Sequence, residues 1–216
     1  MTTKVLNLYA GIGGNRKLWE DVEVTAVEWD EEKAEVYSDH FPDDEVVVAD
    51  AHEYLLDHYT EYDFIWSSPP CPTHSTMEMV NHAKHGARYP DMKLYQEIIL
   101  LQTHAERHDI DYLVENVRSY YEPLIQPQAV ARHYFWSNFH IPEIEIDLLP
   151  KRQSDMPDRG DSFDLEQHQQ HLGFDLSVYD MNKTKKSKAL ANCVQPELGK
   201  HVFEAATKNR QSKLFE

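Results

Sequence analysis

The sequence predicts an α/β fold built on a doubly wound, mainly parallel sheet, with a small irregular insert. Two observations lead to this prediction. Short β-rich runs alternate with helical patterns over the first two-thirds of the chain. Each chemically distinctive segment also comes directly after a predicted strand. Because ligands of such sheets bind beyond the carboxyl ends of the strands, we expect these segments to meet in one crevice.

The individual elements follow from hydrophobic periodicity and from turn residues. The turn at Gly11–Gly14 is predicted to open a helix that runs through Glu20, and Asp30 is placed as the N-cap of a helix that ends at His40. Strands are predicted at Val5–Tyr9, Val22–Val27, Glu45–Ala49, Asp63–Trp66 and Tyr112–Val114, and further helices at Tyr54–His58 and Met92–His108.

The alternating pattern breaks down between Asn138 and Ser187. Prolines, scattered charges and a stretch rich in glutamine and histidine predict loops with little core in this part of the chain. A compact apolar pattern resumes at Ala189–Ala206. We therefore expect a main domain at 1–137, an insert at 138–186 and a return to the main domain at 187–216.

The composition excludes several classes of protein. Hydrophobic residues make up 41% of the 216 residues, which is enough for a packed core. No apolar run approaches the ~20 residues of a membrane-spanning helix, and we see no signal peptide. With only Cys71 and Cys193, a disulfide framework and a cysteine-rich zinc site are excluded, and a cytoplasmic protein is expected. Two histidine pairs lack a third ligand, so no metal site is predicted.

The net charge of −17 is distributed unevenly. Residues 181–216 carry eight Lys or Arg against three Asp or Glu, which leaves −22 on residues 1–180. The densest basic run consists of Lys183, Lys185, Lys186 and Lys188. The run has two open interpretations, a solvated loop or a set of phosphate contacts on an otherwise acidic protein.

A glycine turn and two acids suggest a site for an adenosine-type ligand. The turn at Gly11–Gly14 joins a strand to a predicted helix, where the backbone can approach a ligand closely. Glu28 ends the second predicted strand and can accept hydrogen bonds from ribose hydroxyls. Asp50 ends the third, where a carboxylate can bind an adenine amino group. The alternative is that both are ordinary surface acids.

Cys71 and Glu115 follow the next two predicted strands. Cys71 comes directly after Pro69-Pro70, on a rigid turn that faces the predicted crevice. Buried free cysteines are usually inert, which is our interpretation of Cys193 but fits Cys71 poorly. Glu115 is placed where a carboxyl group can be desolvated and exchange protons with a bound base.

Taken in chain order, these segments resemble the cytosine-5 DNA methyltransferase family. Pro69-Pro70-Cys71 matches the nucleophile motif of that family, and Glu115-Asn116-Val117 matches its Glu-Asn-Val motif. Of the family's Gln-x-Arg-x-Arg motif the chain keeps Gln128 and Arg132 but has Val130 in place of the first arginine. Ala191–Val194 is similar to its Gly-Asn-x-Val segment, with alanine in place of glycine.

The resemblance implies a Rossmann-like methyltransferase fold that binds S-adenosylmethionine and no metal. Residues 1–137 would then bind the cofactor and hold the catalytic groups, and residues 138–186 would contribute to target recognition. The residues implied to contact the cofactor are Tyr9, Gly11, Ile12, Gly13, Gly14, Glu28, Trp29, Asp50, Ala51, Pro70, Asn192 and Val194.

The resemblance also implies a chemical mechanism. Cys71 would add to carbon 6 of a flipped-out cytosine, so that carbon 5 can accept the methyl group. Glu115 would hydrogen-bond ring nitrogen 3 and the amino group, and Arg132 would bind the carbonyl oxygen. Thr76–Asp91 corresponds to a loop that closes on DNA. The residues expected to contact DNA are Ser75, Arg88, Lys183, Lys185, Lys186 and Lys188.

The resemblance implies a compact bacterial or phage-type DNA methyltransferase, for which a role in restriction-modification or its evasion is an analogy. Two alternatives stay open at this stage. One is an RNA methyltransferase of the same family, although the Cys-Phe-Thr signature expected of that branch is not visible. The other is a catalytically silent DNA-binding relative, against which the joint presence of Cys71, Glu115 and Arg132 argues.

Overall fold

The computed structural model describes residues 2–78, 82, 86–146 and 164–213. In this part of the chain seven strands form one sheet: β1 (Thr3–Leu8), β2 (Val22–Val27), β3 (Glu45–Val47), β4 (Phe64–Ser67), β5 (Asp111–Val117), β6 (Gln128–Val130) and β7 (His133–Ser137). Their order is β3-β2-β1-β4-β5-β7-β6, with β1 to β5 parallel and β7 antiparallel to both of its neighbours. The predicted mainly parallel sheet is confirmed. Its strand order reverses between β1 and β4, at the switch point where such sheets bind ligands.

The helices connect and cover these strands. They are α1 (Glu31–His40), α2 (Ala51–His58), α3 (Lys93–His104), α4 (Leu165–Leu172), α5 (Lys183–Ala191) and α6 (Pro196–Lys213), with 3-10 turns at Tyr59–Glu61 and Ala105–His108. Asp30 caps α1 as predicted, and Asp50 caps α2 in the same way. Within the described residues, none of these helices has the length and apolarity that crossing a membrane requires.

Both faces of the sheet are buried. On one face, β-strand residues such as Val5, Leu113 and Phe135 pack with Leu198 and Val202 of α6. The other face packs against α3. Its cluster includes Leu6, Ile65, Val114, Ile98 and Leu101. A sheet covered on both faces explains why β1, β4 and β5 each contain consecutive apolar residues rather than a strictly alternating pattern.

The helix predicted to follow the glycine turn does not form, so this prediction was wrong. Residues 14–18 instead form successive turns, with a bond of 3.0 Å from the Trp19 amide to the Arg16 carbonyl. The Arg16 guanidinium binds both oxygens of Asp44, at 2.9 and 3.0 Å. Tertiary contacts of this kind hold the segment in a non-helical path.

Other boundaries also differ from the prediction. The helix α2 begins at Ala51 rather than Tyr54, because Asp50 caps it. The long helix predicted to end at His108 becomes a 3-10 turn after His104. β5 continues to Val117, so Glu115 lies inside a strand and not at its end. The strands β6 and β7 were not predicted.

Residues 164–186 contain more core than expected. The prediction of loops was wrong here, because α4 and the start of α5 lie in this segment. Leu172, Phe174, Leu176 and Met181 are buried in a cluster that also contains Ile12. The Lys17 ammonium group donates to the carbonyl of Leu172 at 2.6 Å and to that of Gly173. This part of the predicted insert therefore packs on the glycine turn, whereas 147–163 lie outside the described residues.

Candidate active site

A cavity of about 470 Å³ opens at the carboxyl ends of the parallel strands. Its volume falls in the range of ~300–1,000 Å³ that is typical of small-molecule sites. Five of the predicted cofactor residues line it, together with four residues that were not predicted. The lining residues are Tyr9, Trp29, Asp50, Ala51 and Pro70, and with them Val48, Ala49, Asp91 and Lys93. The Trp29 side chain is 70% exposed, which leaves its indole accessible to a planar ligand.

The glycine turn is bonded to Glu28. The buried Glu28 carboxylate accepts the amide of Gly11 at 2.9 Å and the amide of Asp30 at 3.0 Å. Gly13 has a φ of +85°, and a Cβ there would lie 2.2 Å from the Phe41 ring, so a larger residue would strain the turn and displace that ring. Lys33 Nζ also lies 3.5 Å from Glu28 Oε1. Glu28 thus fixes the shape of the turn, and its Oε2 can accept a further hydrogen bond.

The segment Ala191–Val194 packs against the same turn. A Cβ on Gly14 would lie 2.0 Å from Cys193 Sγ and 2.4 Å from the Val194 carbonyl oxygen. Val194 is buried, and Asn192 is exposed at the end of α5. The structure therefore brings this segment to the glycine turn, although neither Asn192 nor Val194 lines the cavity.

Asp50 combines a structural contact with exposure to the cavity. One carboxylate oxygen accepts the His52 amide at 2.9 Å, and the other lies 3.4 Å from Lys93 Nζ. Partial burial opposes ionisation, but the His52 amide and Lys93 outweigh it and lower the pKa of Asp50. The side chain is therefore ionised at neutral pH and can accept hydrogen bonds from a ligand.

A buried carboxylate lies beneath the cavity. Glu97 of α3 is 1% exposed and accepts hydrogen bonds from Ser67 Oγ at 2.6 Å and Tyr9 Oη at 2.5 Å. His52 Nδ1 lies 2.9 Å from the same Glu97 oxygen that Tyr9 contacts. Burial and Glu97 raise the pKa of Tyr9, so its hydroxyl remains a donor. One side chain thereby joins the ends of β1 and β4 to the first turn of α2.

The Cys71 loop is held against β5. Cys71 is half-buried, and its carbonyl accepts the amides of His74 and Ser75 at 2.9 and 3.1 Å. The side-chain amide of Asn116 donates to the Pro69 carbonyl at 2.9 Å, and both partners are buried in this contact. Burial lowers the pKa of His74, whose Nδ1 lies 2.6 Å from Tyr121 Oη, so the ring is neutral at neutral pH. Asn116 thus joins the Pro-Pro-Cys segment to the Glu-Asn-Val segment directly.

Glu115 faces a histidine across the antiparallel edge of the sheet. His133 Nδ1 lies 2.5 Å from Glu115 Oε1, and the two side chains are 4% and 8% exposed. Arg132 precedes this histidine, in the two-residue turn between β6 and β7. The Arg118 guanidinium donates to the carbonyl of Ala131 in the same turn at 2.8 Å. The hairpin therefore delivers both Arg132 and His133 to the Glu115 end of the site.

Comparison with known proteins identifies the family. The family model for C-5 cytosine-specific DNA methylases matches residues 3–123, which is more than half of the 216-residue chain. The chain belongs to this family. No relative was found among curated protein sequences.

Three solved structures are similar to the chain over all or part of its length, and the first of them shows the same fold. The methyltransferase EhMeth of Entamoeba histolytica is 11% identical with a TM-score of 0.59, over 97% of this chain and 99% of that one. A DNMT2 variant of Spodoptera frugiperda is 25% identical with a TM-score of 0.38, over 54% and 36% of the two chains. A putative DNA modification methyltransferase of an Escherichia coli prophage is 16% identical with a TM-score of 0.43, over 72% and 55%. The methylase thus spans less than two-thirds of the length of the last two.

The residues expected to contact DNA lie outside the cavity of the methylase. Ser75 forms a β-bridge with Ser119, and Arg88 makes a bidentate ion pair with the buried Glu78. The four lysines lie on the first two turns of α5, not on a loop. Lys185 is bonded to Glu32 of α1 at 2.7 Å. These positions leave the DNA contacts as predictions.

Sequence reasoning missed several residues of the methylase site. Glu97, His133 and Lys93 were not singled out, and Asn116 was noted only as part of a motif. Glu97 sits in an amphipathic helix, where a polar residue among apolar ones is a weak signal of a buried contact. No local pattern marks His133, because its partner is 18 residues away in the sequence.

Proposed function

We propose that this methylase transfers a methyl group from S-adenosylmethionine to carbon 5 of cytosine in DNA, with Cys71 as the nucleophile. The observation that carries the proposal is the bond from Asn116 to the Pro69 carbonyl. It fixes the cysteine loop beside the strand of Glu115, while Pro70 of that loop lines the cavity. This arrangement supports the proposal, because the loop that carries Cys71 is bonded to the strand that carries Glu115 and also contributes to the cavity wall.

The residues present fit the proposed cofactor. The exposed indole of Trp29 and the apolar Val48 suit an adenine ring, and the Asp50 carboxylate suits its amino group. Glu28, which holds the glycine turn next to this cavity, can accept a ribose hydroxyl with its Oε2. When bound, the cofactor supplies an electrophilic methyl group.

The chain's own residues then activate the base. The Cys71 thiolate adds to carbon 6, and the electrons of the carbon 5–carbon 6 double bond become available at carbon 5. Glu115 hydrogen-bonds nitrogen 3 and the amino group, and Arg132 binds the carbonyl oxygen, so that charge developing on the ring is opposed. Carbon 5 would take the methyl group as the bond from that methyl to the sulfonium sulfur breaks. A base, such as water, would then remove the carbon 5 proton, and the electron pair left behind would restore the double bond and expel Cys71 as its thiolate. A duplex hides these atoms, so the base must be flipped out.

Mass spectrometry of nucleosides tests the substrate. DNA and RNA are each incubated with the protein and S-adenosylmethionine carrying a labelled methyl group, then digested. Labelled 5-methylcytosine in DNA alone is the expected result. Label in RNA alone would show that the substrate is RNA, as in the RNA-methylating branch of the family. Label in neither, despite cofactor binding, would indicate a silent relative.

Replacing Asp50 by asparagine tests the cofactor site. Asparagine keeps the N-cap of α2 but loses the charge and one acceptor, so affinity for S-adenosylmethionine should fall by about 1–3 kcal/mol. Isothermal calorimetry in the absence of DNA measures it. The matched control is Asp164→Asn, since Asp164 caps α4 away from the cavity lining and should leave the affinity unchanged. Equal affinities of Asp50→Asn and wild type would remove Asp50 from the site.

A further inference from the structure

His133 and Glu115 share one face of the antiparallel edge. His133 is the register partner of Val117 on β5, and Glu115 lies two residues before Val117. Side chains two residues apart on a strand point to the same face, so the two groups meet diagonally. Their contact of 2.5 Å is nearly closed to solvent, because the side chains are 4% and 8% exposed.

This contact fixes the carboxyl group of Glu115. A proton must lie between the two atoms, because a bare imidazole nitrogen and a carboxylate oxygen would repel each other. A hydrogen bond between two nearly buried side chains is not weakened by competing water. The bond therefore sets the rotation of the carboxyl group and the direction of both of its oxygens.

The β6–β7 hairpin places His133 opposite Val130, on the face of the sheet that also carries Glu115. Val130 occupies the position where the family resemblance expects an arginine, and it is 2% exposed within the core. Val130 and His133 are register partners in the β6–β7 ladder, so their side chains lie on the same face. Valine donates no hydrogen bond, whereas His133 brings a donor to the same face from the opposite strand.

We propose that His133 is a positioning residue of the methylation reaction. It holds the Glu115 carboxyl group in the orientation from which that group binds the cytosine, and it supplies from β7 the donor that Val130 cannot provide. The inference rests on the proposed function, since it acts through Glu115 on the bound base. It adds to that function a residue on which the rate of methyl transfer depends.

Two variants of His133 separate positioning from packing. His133→Leu removes the donor, whereas His133→Asn retains one, because the asparagine amide nitrogen is attached to Cγ just as Nδ1 is. In steady-state methylation of DNA, His133→Leu should lower kcat about 100-fold with KM for DNA changed less than about threefold. The kcat of His133→Asn should be at least about tenfold higher than that of His133→Leu. If His133 only filled space, the smaller asparagine would leave a cavity and restore nothing.

The controls keep this test separate from that of the proposed function. His58→Leu breaks an exposed contact in which His58 Nδ1 lies 2.9 Å from Glu61 Oε1, and it should leave kcat unchanged. Calorimetric binding of S-adenosylmethionine shows that each variant is folded. Wild-type kcat in His133→Leu, or equal loss in both His133 variants, would overturn the inference alone. A wild-type protein that methylates no cytosine would overturn the proposed function and this inference with it.

Discussion

Replacing Cys71 by serine is expected to abolish both methylation and covalent capture of the base. DNA that contains 5-fluorocytosine cannot lose its carbon 5 substituent after methyl transfer, so a complex that survives denaturation should accumulate with wild-type protein. A serine hydroxyl is a far poorer nucleophile, and loss of the nucleophile in a covalent enzyme costs up to ~10⁶-fold in rate. We expect a fall of at least about 10⁴-fold, measured by single-turnover methylation and by denaturing electrophoresis of the complex.

Cys193 provides the matched control. It is 9% exposed and packs against Gly14, so Cys193→Ser should still form the covalent complex. A complex that persists in Cys71→Ser and disappears in Cys193→Ser would reverse the assignment of the two thiols. Binding of S-adenosylmethionine to Cys71→Ser should be retained, because only Pro70 of this loop lines the cavity.

Replacing Glu97 by alanine is expected to lower both stability and cofactor affinity. The change leaves the hydroxyls of Tyr9 and Ser67 and the ring of His52 without their common acceptor. Removing one partner of a buried ionic network costs about 3–5 kcal/mol, so the free energy of unfolding in urea should fall by roughly that amount. Cofactor affinity should fall as well, since Tyr9 lines the cavity. Glu106→Ala, at an exposed position after the same helix, should change stability by less than about 0.5 kcal/mol.

The same network gives this stability a dependence on pH. The hydrogen bond to Glu97 raises the pKa of His52 above its ordinary value of 6.5. Protonated His52 therefore stabilises the fold fully below pH 6.5, and this contribution is lost as the pH rises through the raised pKa. Glu97→Gln should remove the dependence, because a neutral amide no longer favours the imidazolium. A difference between wild type and Glu97→Gln that is constant from acid to alkaline pH would contradict this account.

The features that could be predicted from the sequence are those encoded locally. The parallel strands contain short β-rich runs, and Glu28, Asp50 and Cys71 follow them, so strand ends alone place these residues at one edge of the sheet. The Asp30 cap could also be predicted from the local sequence, because its side chain accepts the amide of Glu32, only two residues later in the chain. A short-range pattern needs no knowledge of the tertiary structure.

The features that could not be predicted depend on distant partners or lack a turn signal. Glu97 meets Tyr9 across 88 residues, and Arg16 is drawn to Asp44 across 28, which overrides the helical pattern after the glycine turn. The β6–β7 hairpin turns at Ala131, which has a φ of +50° without being glycine or asparagine. Its first strand has only three residues, so neither length nor turn composition indicated it.

The helix α6 has a consequence for how the protein is made. Val5 and Trp19, near the start of the chain, are buried together with Leu198, Val202 and Phe203 of this helix. During synthesis the ribosome releases the strands long before residues 196–213 emerge, so one face of the nascent sheet stays uncovered while translation continues. A stalled or prematurely ended chain would leave this apolar face of the sheet exposed to solvent. Exposed apolar surface promotes aggregation. Slow translation between the last strand and α6 would therefore increase the dependence of the nascent chain on chaperones.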